Sequence, residues 1–376
     1  MNLRDASLTL FFTGGVSLKT WIETGNIDRE LELYRALLSH INKVNFVTYG
    51  GGHDVRYSNK TGDITILSTP WHRWKKFTIA RLLLNHYREI RRSSIFKTNQ
   101  VYGSEIPIWL KKRLRKPLIT RCGYLPSLFL MQEKKSTETI ARAKRQEYEA
   151  FSNADIGVVT SPRDREYVTK EYGIETEKIR VIPNYVPTEV FKPHPGVEKK
   201  YDVTYIGRGD RQKNLWSLLK AVKYLRDKGK KASILMIGKC CENPEIKEFI
   251  QKEKLDADLQ GSVPSYELPQ YLNQSRVFIL PSRYEGHPKV LLEAMSCGLP
   301  CIGTNVAGIK DDITHLENGY LCETNFKSIA DAIDEVLQDK TLREMMGRKA
   351  RRHILENYSL DKILKKELEV IGEVLS

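Results

Sequence analysis

The feature that most constrains this chain is a repeated alternation of short apolar runs with amphipathic stretches. Runs that read as strands lie at Leu8–Thr13, Val44–Tyr49, Asp63–Ser68, Ser94–Thr98, Leu118–Arg121, Ile156–Thr160 and Arg180–Pro183. Between them, as in Ile27–His40 and Glu138–Asn153, apolar side chains recur at helical spacing. The rhythm restarts further on. Strands are expected at Asp202–Gly207, Ser233–Gly238, Val277–Pro281, Pro300–Thr304 and Gly319–Cys322. Helices are expected at Asn214–Asp227, Pro244–Lys254, Lys289–Cys297 and Ser328–Gln338, and the pattern after Asp339 is helical to the end. Such alternation buries both faces of a parallel sheet under helices. The expected fold class is therefore α/β, with two doubly wound Rossmann-like domains facing a cleft, the usual place for a ligand in such folds. Pro183, Pro187, Pro193 and Pro195 crowd the junction, where a linker belongs. The expected division is 1–190 for an N-terminal domain, with helix 358–376 packing back on it, and 191–357 for a C-terminal domain.

Composition removes several classes. With 40% hydrophobic and 29% charged residues, the chain is neither collagenous nor wholly disordered. Six cysteines without paired C-x-x-C clusters form neither a disulfide framework nor a zinc site, and they read as free thiols of a reducing compartment. The opening MNLRDASLTLFFTGG lacks the basic start and long apolar core of a signal peptide. No apolar run approaches the ~18 residues of a membrane span. The expected location is the cytoplasm, with at most peripheral attachment to the inner face of a membrane.

The net charge of +14 is unevenly placed. Residues 1–195 hold 32 basic and 20 acidic side chains, and 196–376 hold 29 and 27. His72–Arg121 alone holds 14 basic and 2 acidic residues. A local basic excess suits nucleic acid, anionic lipid or an acidic substrate.

Chemistry concentrates in Leu280–Gly303, LPSRYEGHPKVLLEAMSCGLPCIG. A strand end is followed by a loop carrying Glu285, Gly286, His287 and Pro288, and then by a helix in which Glu293 lies about one turn deep. The first N–H groups of that helix, Lys289, Val290 and Leu291, are expected to be unpaired and to form an anion site. Two acceptor carboxylates beside such a site suit a ligand with hydroxyls attached to a phosphate, as in a nucleotide sugar. Ordinary acids complementing a helix dipole would give the same residues. Tyr205–Leu219, YIGRGDRQKNLWSLL, places Arg208 and Lys213 on a loop before another helix, where two cations can neutralise a diphosphate. Solvated loop charges are the plainer alternative. Gly14 and Gly15 follow the first strand without completing G-x-G-x-x-G. They serve either a tight turn or close approach of backbone to a ligand. Asp256-Ala257-Asp258 matches a D-x-D metal pattern, but it sits in a polar segment with no second motif, so no metal site is expected.

The segment from Glu285-Gly286 through Glu293-Ala294-Met295 and Cys297-Gly298-Leu299-Pro300 resembles the E-x7-E signature of glycosyltransferase family 4, retaining enzymes of the B-type two-Rossmann fold. The resemblance implies that Glu285 contacts the donor sugar and Glu293 the ribose, that Arg208 and Lys213 meet the diphosphate, and that the Gly14–Gly15 loop reaches the donor. It also places the backbone at Val263 against the base. Pro288 departs from a glycine common in the family and removes one N–H donor. Arg121-Cys122-Gly123-Tyr124 stands where many members have a catalytic-site histidine, so Arg121 is the candidate replacement. The implied reaction moves a sugar from a nucleoside diphosphate to an acceptor hydroxyl with retention, without a metal or bound cofactor, in glycan, lipopolysaccharide or glycolipid synthesis. The acceptor, a glycan or a lipid-linked or phosphorylated molecule, is expected at the N-terminal domain. Trp74–Arg92, an amphipathic basic helix candidate, and Lys111–Lys116 suit anionic lipid or a phosphorylated, lipid-linked acceptor. A solvated helix with an ordinary apolar stripe toward the core is the plainer alternative. A nucleotide-sugar epimerase or phosphorylase on the same fold is one rival. A non-enzymatic nucleic-acid-binding protein is another, although no nucleic-acid module is present.

Overall fold

The computed structural model describes residues 2–376. The chain forms two compact units, one running to Pro183 and including Ile363–Ser376, the other Asn184–Lys362. The division falls before residue 190 because Asn184–Phe191 already belongs to the second unit. There Val186 pairs with Ser359, and Phe191 is buried in the core around Leu291 and Met295.

The first unit holds a seven-stranded sheet in the order β3-β2-β1-β4-β5-β6-β7, with every pairing parallel. Its strands are β1 (Ser7–Phe11), β2 (Lys43–Thr48), β3 (Thr65–Ser68), β4 (Ile95–Thr98), β5 (Leu118–Cys122), β6 (Ile156–Val159) and β7 (Ile179–Val181). All five residues of β1 and all four of β4 and β6 are buried, as helices on both faces of a parallel sheet require. The flanking helices start where serine side chains cap free N–H groups, at Ser17, Ser136 and Ser161. The last helix, Leu360–Leu375, is tied to this unit by Lys97 of β4, whose Nζ lies 2.6 Å from Glu367 Oε2.

The second unit holds a six-stranded parallel sheet, β10-β9-β8-β11-β12-β13. These are β8 (Tyr201–Ile206), β9 (Ile234–Ile237), β10 (Ala257–Gln260), β11 (Ser275–Leu280), β12 (Cys301–Thr304) and β13 (Tyr320–Cys322). Strand β10 was expected to be a polar segment. It is an edge strand, and Asp258 of the D-x-D triplet accepts hydrogen bonds from Tyr201 and Gln260. Its four residues are all half-buried, which hid it from an apolar pattern. The six cysteines are free and buried.

Both sheets reverse direction at their first strand. In each, the first strand lies between the second and the fourth, so the loops leaving strands one and four diverge and leave a crevice at the carboxyl ends. In the first unit these are the loops after β1 and β4. In the second they follow β8 and β11.

Candidate active site

In the second unit the loops after β8 and β11 are tied to each other. Tyr205 of β8 is buried, and its hydroxyl donates to the Arg208 carbonyl at 2.5 Å. Gly207 leaves room for that phenol: a Cβ there would stand 2.7 Å from its oxygen. Asp210 caps Lys213 N–H, and Asn214 takes a left-handed conformation at φ 54°. Asn214 Nδ2 then donates to the carbonyls of Pro281 and Thr324, fixing the first loop against the second. Gln212 adds a main-chain tie, its carbonyl accepting from Arg283 N–H at 2.8 Å.

These ties bring Lys213 and Glu285 together. Lys213 Nζ lies 2.6 Å from Glu285 Oε1, with side chains only 14% and 6% exposed. Ser282 Oγ donates to the same oxygen at 2.6 Å, and Gln212 Nε2 donates to Oε2 at 3.2 Å. Charge-assisted bonds of this length are strong, and together they hold the carboxylate at the crevice in one orientation. Arg208 joins the network's edge, with an NH2-to-Gln212 Oε1 distance of 3.3 Å and its Nε 3.0 Å from Asp210 Oδ2. It remains exposed, so its guanidinium can meet an anion without breaking a buried contact.

The helix Lys289–Ser296 begins after Pro288, which stands at its N-cap. The expectation of three unpaired N–H groups needs one correction. Leu291 N–H is bonded to the Pro288 carbonyl at 3.1 Å, because the first turn is tight. Leu291 is thereby withdrawn from the expected anion site. Glu293, one turn in, is buried at 1% exposure. His287 also departs from expectation. Its ring is buried and turned inward, with Nδ1 accepting from Asn184 N–H at 3.1 Å and Nε2 lying 3.5 Å from Asp312 Oδ2. The ring is held inside the unit between Asn184 and Asp312. Gly286 is backed by Gly308, where φ is +81° and any Cβ would collide with the Gly286 carbonyl. Val263, on the loop after β10, is half-buried against the core around Leu291.

In the first unit Gly14 and Gly15 do leave β1 at the reversal point. Their small size answers to Trp71: a Cβ on Gly14 would lie 2.6 Å from the indole. Gly14 N–H donates to the Tyr102 carbonyl on the loop after β4, and Gly15 turns at φ +78°. Lys75 Nζ sits 3.5 Å from the Trp71 ring centroid. Arg121, in β5, has its main-chain N–H bonded to Thr98 Oγ1 of β4. Its charge is felt by buried Lys97, whose ammonium pKa is lowered first by burial and further by Arg121, against an opposing rise from Glu367. The neighbouring Cys122 thiol is pushed far up by burial, so it is no nucleophile.

Sequence reasoning missed Gln212, Ser282, Asn214, Gly308 and Asp312. Ser282 and Gln212 lie beside residues that it singled out, and that proximity was the one available signal.

The family model for glycosyl transferases group 1 matches residues 187–353, and that for glycosyltransferase family 4 matches residues 31–190. A capsular polysaccharide biosynthesis glycosyltransferase of Staphylococcus aureus is 29% identical over 203 residues, 52% of this chain and 51% of that protein. The UDP-Gal:alpha-D-GlcNAc-diphosphoundecaprenol alpha-1,3-galactosyltransferase of Escherichia coli is 30% identical over 217 residues, 53% of this chain and 55% of its own. The chain spans about half the length of the curated relatives it matches. Among solved structures, the sucrose-phosphate synthase of Thermosynechococcus elongatus superposes with a TM-score of 0.78 at 18% identity, covering 98% of this chain and 99% of that one. Anabaena HepE, solved with UDP and glucose, gives 0.76 at 14% identity over 98% and 100%. These likenesses show the shared B-type fold. With matching models over both halves, the chain belongs to the group 1, family 4 glycosyltransferases.

Proposed function

We propose that this protein transfers a sugar from a nucleoside diphosphate to an acceptor hydroxyl, with retention at the anomeric carbon, in the assembly of a surface glycan or glycolipid. The observation that carries the reading is the Lys213–Glu285 pair, held by Ser282 and Gln212 at the reversal point of the second sheet. A carboxylate there can accept hydrogen bonds from sugar hydroxyls. Lys213 and exposed Arg208 supply positive charge for the leaving diphosphate. Charge develops on that group in the transition state, and fixed donors aimed at it lower the barrier. Because these cations belong to the chain, we take the transfer to need neither a metal nor a bound cofactor. The names of the relatives support a UDP-sugar donor and a lipid diphosphate acceptor.

The acceptor side is assigned to the first unit by its charge. On helix Lys75–Arg92 and the residues before it, Trp74, Phe77, Leu84 and Tyr87 are exposed, with Leu84 at 84%. Arg73, Lys76, Arg81, Arg88, Arg91 and Arg92 are exposed beside them. Apolar and basic side chains sharing one outward surface suit a membrane of anionic lipid, where a lipid-linked acceptor resides. Among the described residues, no helix is long and apolar enough to cross a membrane.

The test is turnover of UDP-, GDP- and ADP-sugars with and without polyprenyl-phosphate acceptors, with product anomers read by NMR. Lys213→Ala should lower kcat by about 10²–10³, the range for loss of one aimed donor. An unchanged rate in that variant overturns the diphosphate assignment. Donor consumed at full rate without acceptor would point to epimerase or phosphorylase chemistry. An inverted product overturns retention, and activity abolished by EDTA overturns metal independence.

A further inference from the structure

The loop that carries Glu285 is anchored on its inner side by a buried histidine–aspartate pair. Asp312 is 2% exposed and lies in the segment after β12. Its two oxygens face two imidazoles: His287 Nε2 at 3.5 Å and His353 Nε2 at 3.9 Å. Among the described residues, no hydrogen bond satisfies either Asp312 oxygen, so the buried carboxylate leans on the facing imidazoles.

The tautomer of His287 follows from its other nitrogen. Nδ1 accepts from Asn184 N–H, so the ring proton resides on Nε2 and points at Asp312. Asn184 Nδ2 grips the same residue from its main chain, donating to the His287 carbonyl at 2.7 Å. The Tyr358 ring packs edge-on against both imidazoles, with centroids 5.1 Å from His287 and 5.4 Å from His353. Tyr358 itself is fixed where the second unit ends, its carbonyl accepting from Val186 N–H at 2.8 Å. His287 is two residues from Glu285 and two before the first residue of helix Lys289–Ser296. Its main chain therefore joins the Glu285 loop to the head of that helix.

We propose that Asp312 and His287 form a positioning pair for the donor: the buried carboxylate fixes the ring, and the ring fixes the loop that aims Glu285 and the helix head at a nucleotide sugar. Asp312 touches neither sugar nor diphosphate and acts through His287. The inference rests on the sugar-transfer reading above.

The experiment measures donor KM, acceptor KM, kcat and the thermal midpoint for wild type, Asp312→Asn, His287→Asn and the double variant. The donor is the one that wild type turns over among UDP-glucose, UDP-galactose, UDP-N-acetylglucosamine, GDP-mannose and ADP-glucose. Asp312→Asn should raise donor KM about tenfold, since small misplacements at a reacting centre are costly. Acceptor KM should stay unchanged. The double variant should be no worse than His287→Asn, because the two residues act as one unit. A merely structural pair would lower the thermal midpoint and leave donor KM alone, and that result overturns the proposal. So does a parallel rise in both KM values. If Asp312→Asn does not fold, His287→Asn alone carries the test, with a donor-specific rise in KM expected and an unchanged donor KM as the refutation. A wild type that neither binds nor consumes any of the five donors overturns the functional reading itself, and the pair's role with it.

Discussion

Lys97 and Glu367 place two charges where no water reaches: both side chains are fully buried, 2.6 Å apart. Glu367 Oε1 has no hydrogen-bond partner, so its charge leans on Lys97 alone. A pair of this kind is expensive to break and adds little to net stability. Glu367→Gln should therefore cost about 3–5 kcal/mol, because it leaves a buried ammonium uncompensated. The double variant Lys97→Met, Glu367→Leu should recover most of that loss, and urea denaturation of the three chains checks it. If Glu367→Gln is neutral, the ammonium has found water and the burial is wrong. None of this was legible in the sequence. A lysine inside an apolar strand and a glutamate on the last helix carry no pattern linking them. The candidate site shows the same limit. Lys213 and Glu285 were each singled out by chemistry, but their bond to each other depends on two strands meeting in the sheet. Asp312 was invisible because one aspartate in a loop resembles every other.

Elements were more legible than contacts, for a physical reason. A strand buried on both faces is mostly apolar, so β1, β4, β9 and β12 announce themselves, and their observed ends fall within two residues of expectation. Strand β10 did not, since an edge strand at partial burial need not be apolar. Helix Lys75–Arg92 shows what periodicity cannot decide. Thr78, Ile79, Leu82 and Ile90 form the expected inward stripe. Trp74, Phe77, Leu84 and Tyr87 face outward among arginines, with Trp74 and Phe77 stacked at 5.8 Å and Lys76 over both rings. Periodicity offered an inward stripe and an outward membrane surface as alternatives, and the helix carries both. The outward set predicts salt-sensitive sedimentation with vesicles containing phosphatidylglycerol and little with phosphatidylcholine alone. Trp74→Glu with Leu84→Glu should abolish it. Removing a pair of arginines, Arg81→Ala with Arg88→Ala, should weaken it by about 1 kcal/mol each. Equal binding of all variants would show that the surface does not face lipid.

At the scale of the whole molecule, charge and chemistry are separated by unit. The excess of cations lies before Pro195, while residues 196–376, nearly balanced, hold Arg208, Lys213, Glu285 and Glu293. One hydrophobic cluster in the first unit centres on Val101, Phe151 and Val168, and two in the second centre on Leu218 with Ile234 and on Leu280 with Leu291. Each of these hydrophobic clusters lies within one unit. Two cores of this size need not melt as one cooperative block. A ligand stabilises only the structure that it binds, and at about 100 times its dissociation constant it adds about 2.7 kcal/mol. For a unit of this length that is a rise of about 5–10 °C in the midpoint. Calorimetry of the full chain with the nucleoside diphosphate that it binds should therefore move the transition of the second unit and leave that of the first within error. The two are told apart by Lys97→Ala, which lowers the first, and by Leu218→Ala, which lowers the second. If the nucleotide instead raises the first transition alone, the diphosphate site lies at Gly14, Gly15 and Arg121, and Lys213 has been given the wrong partner.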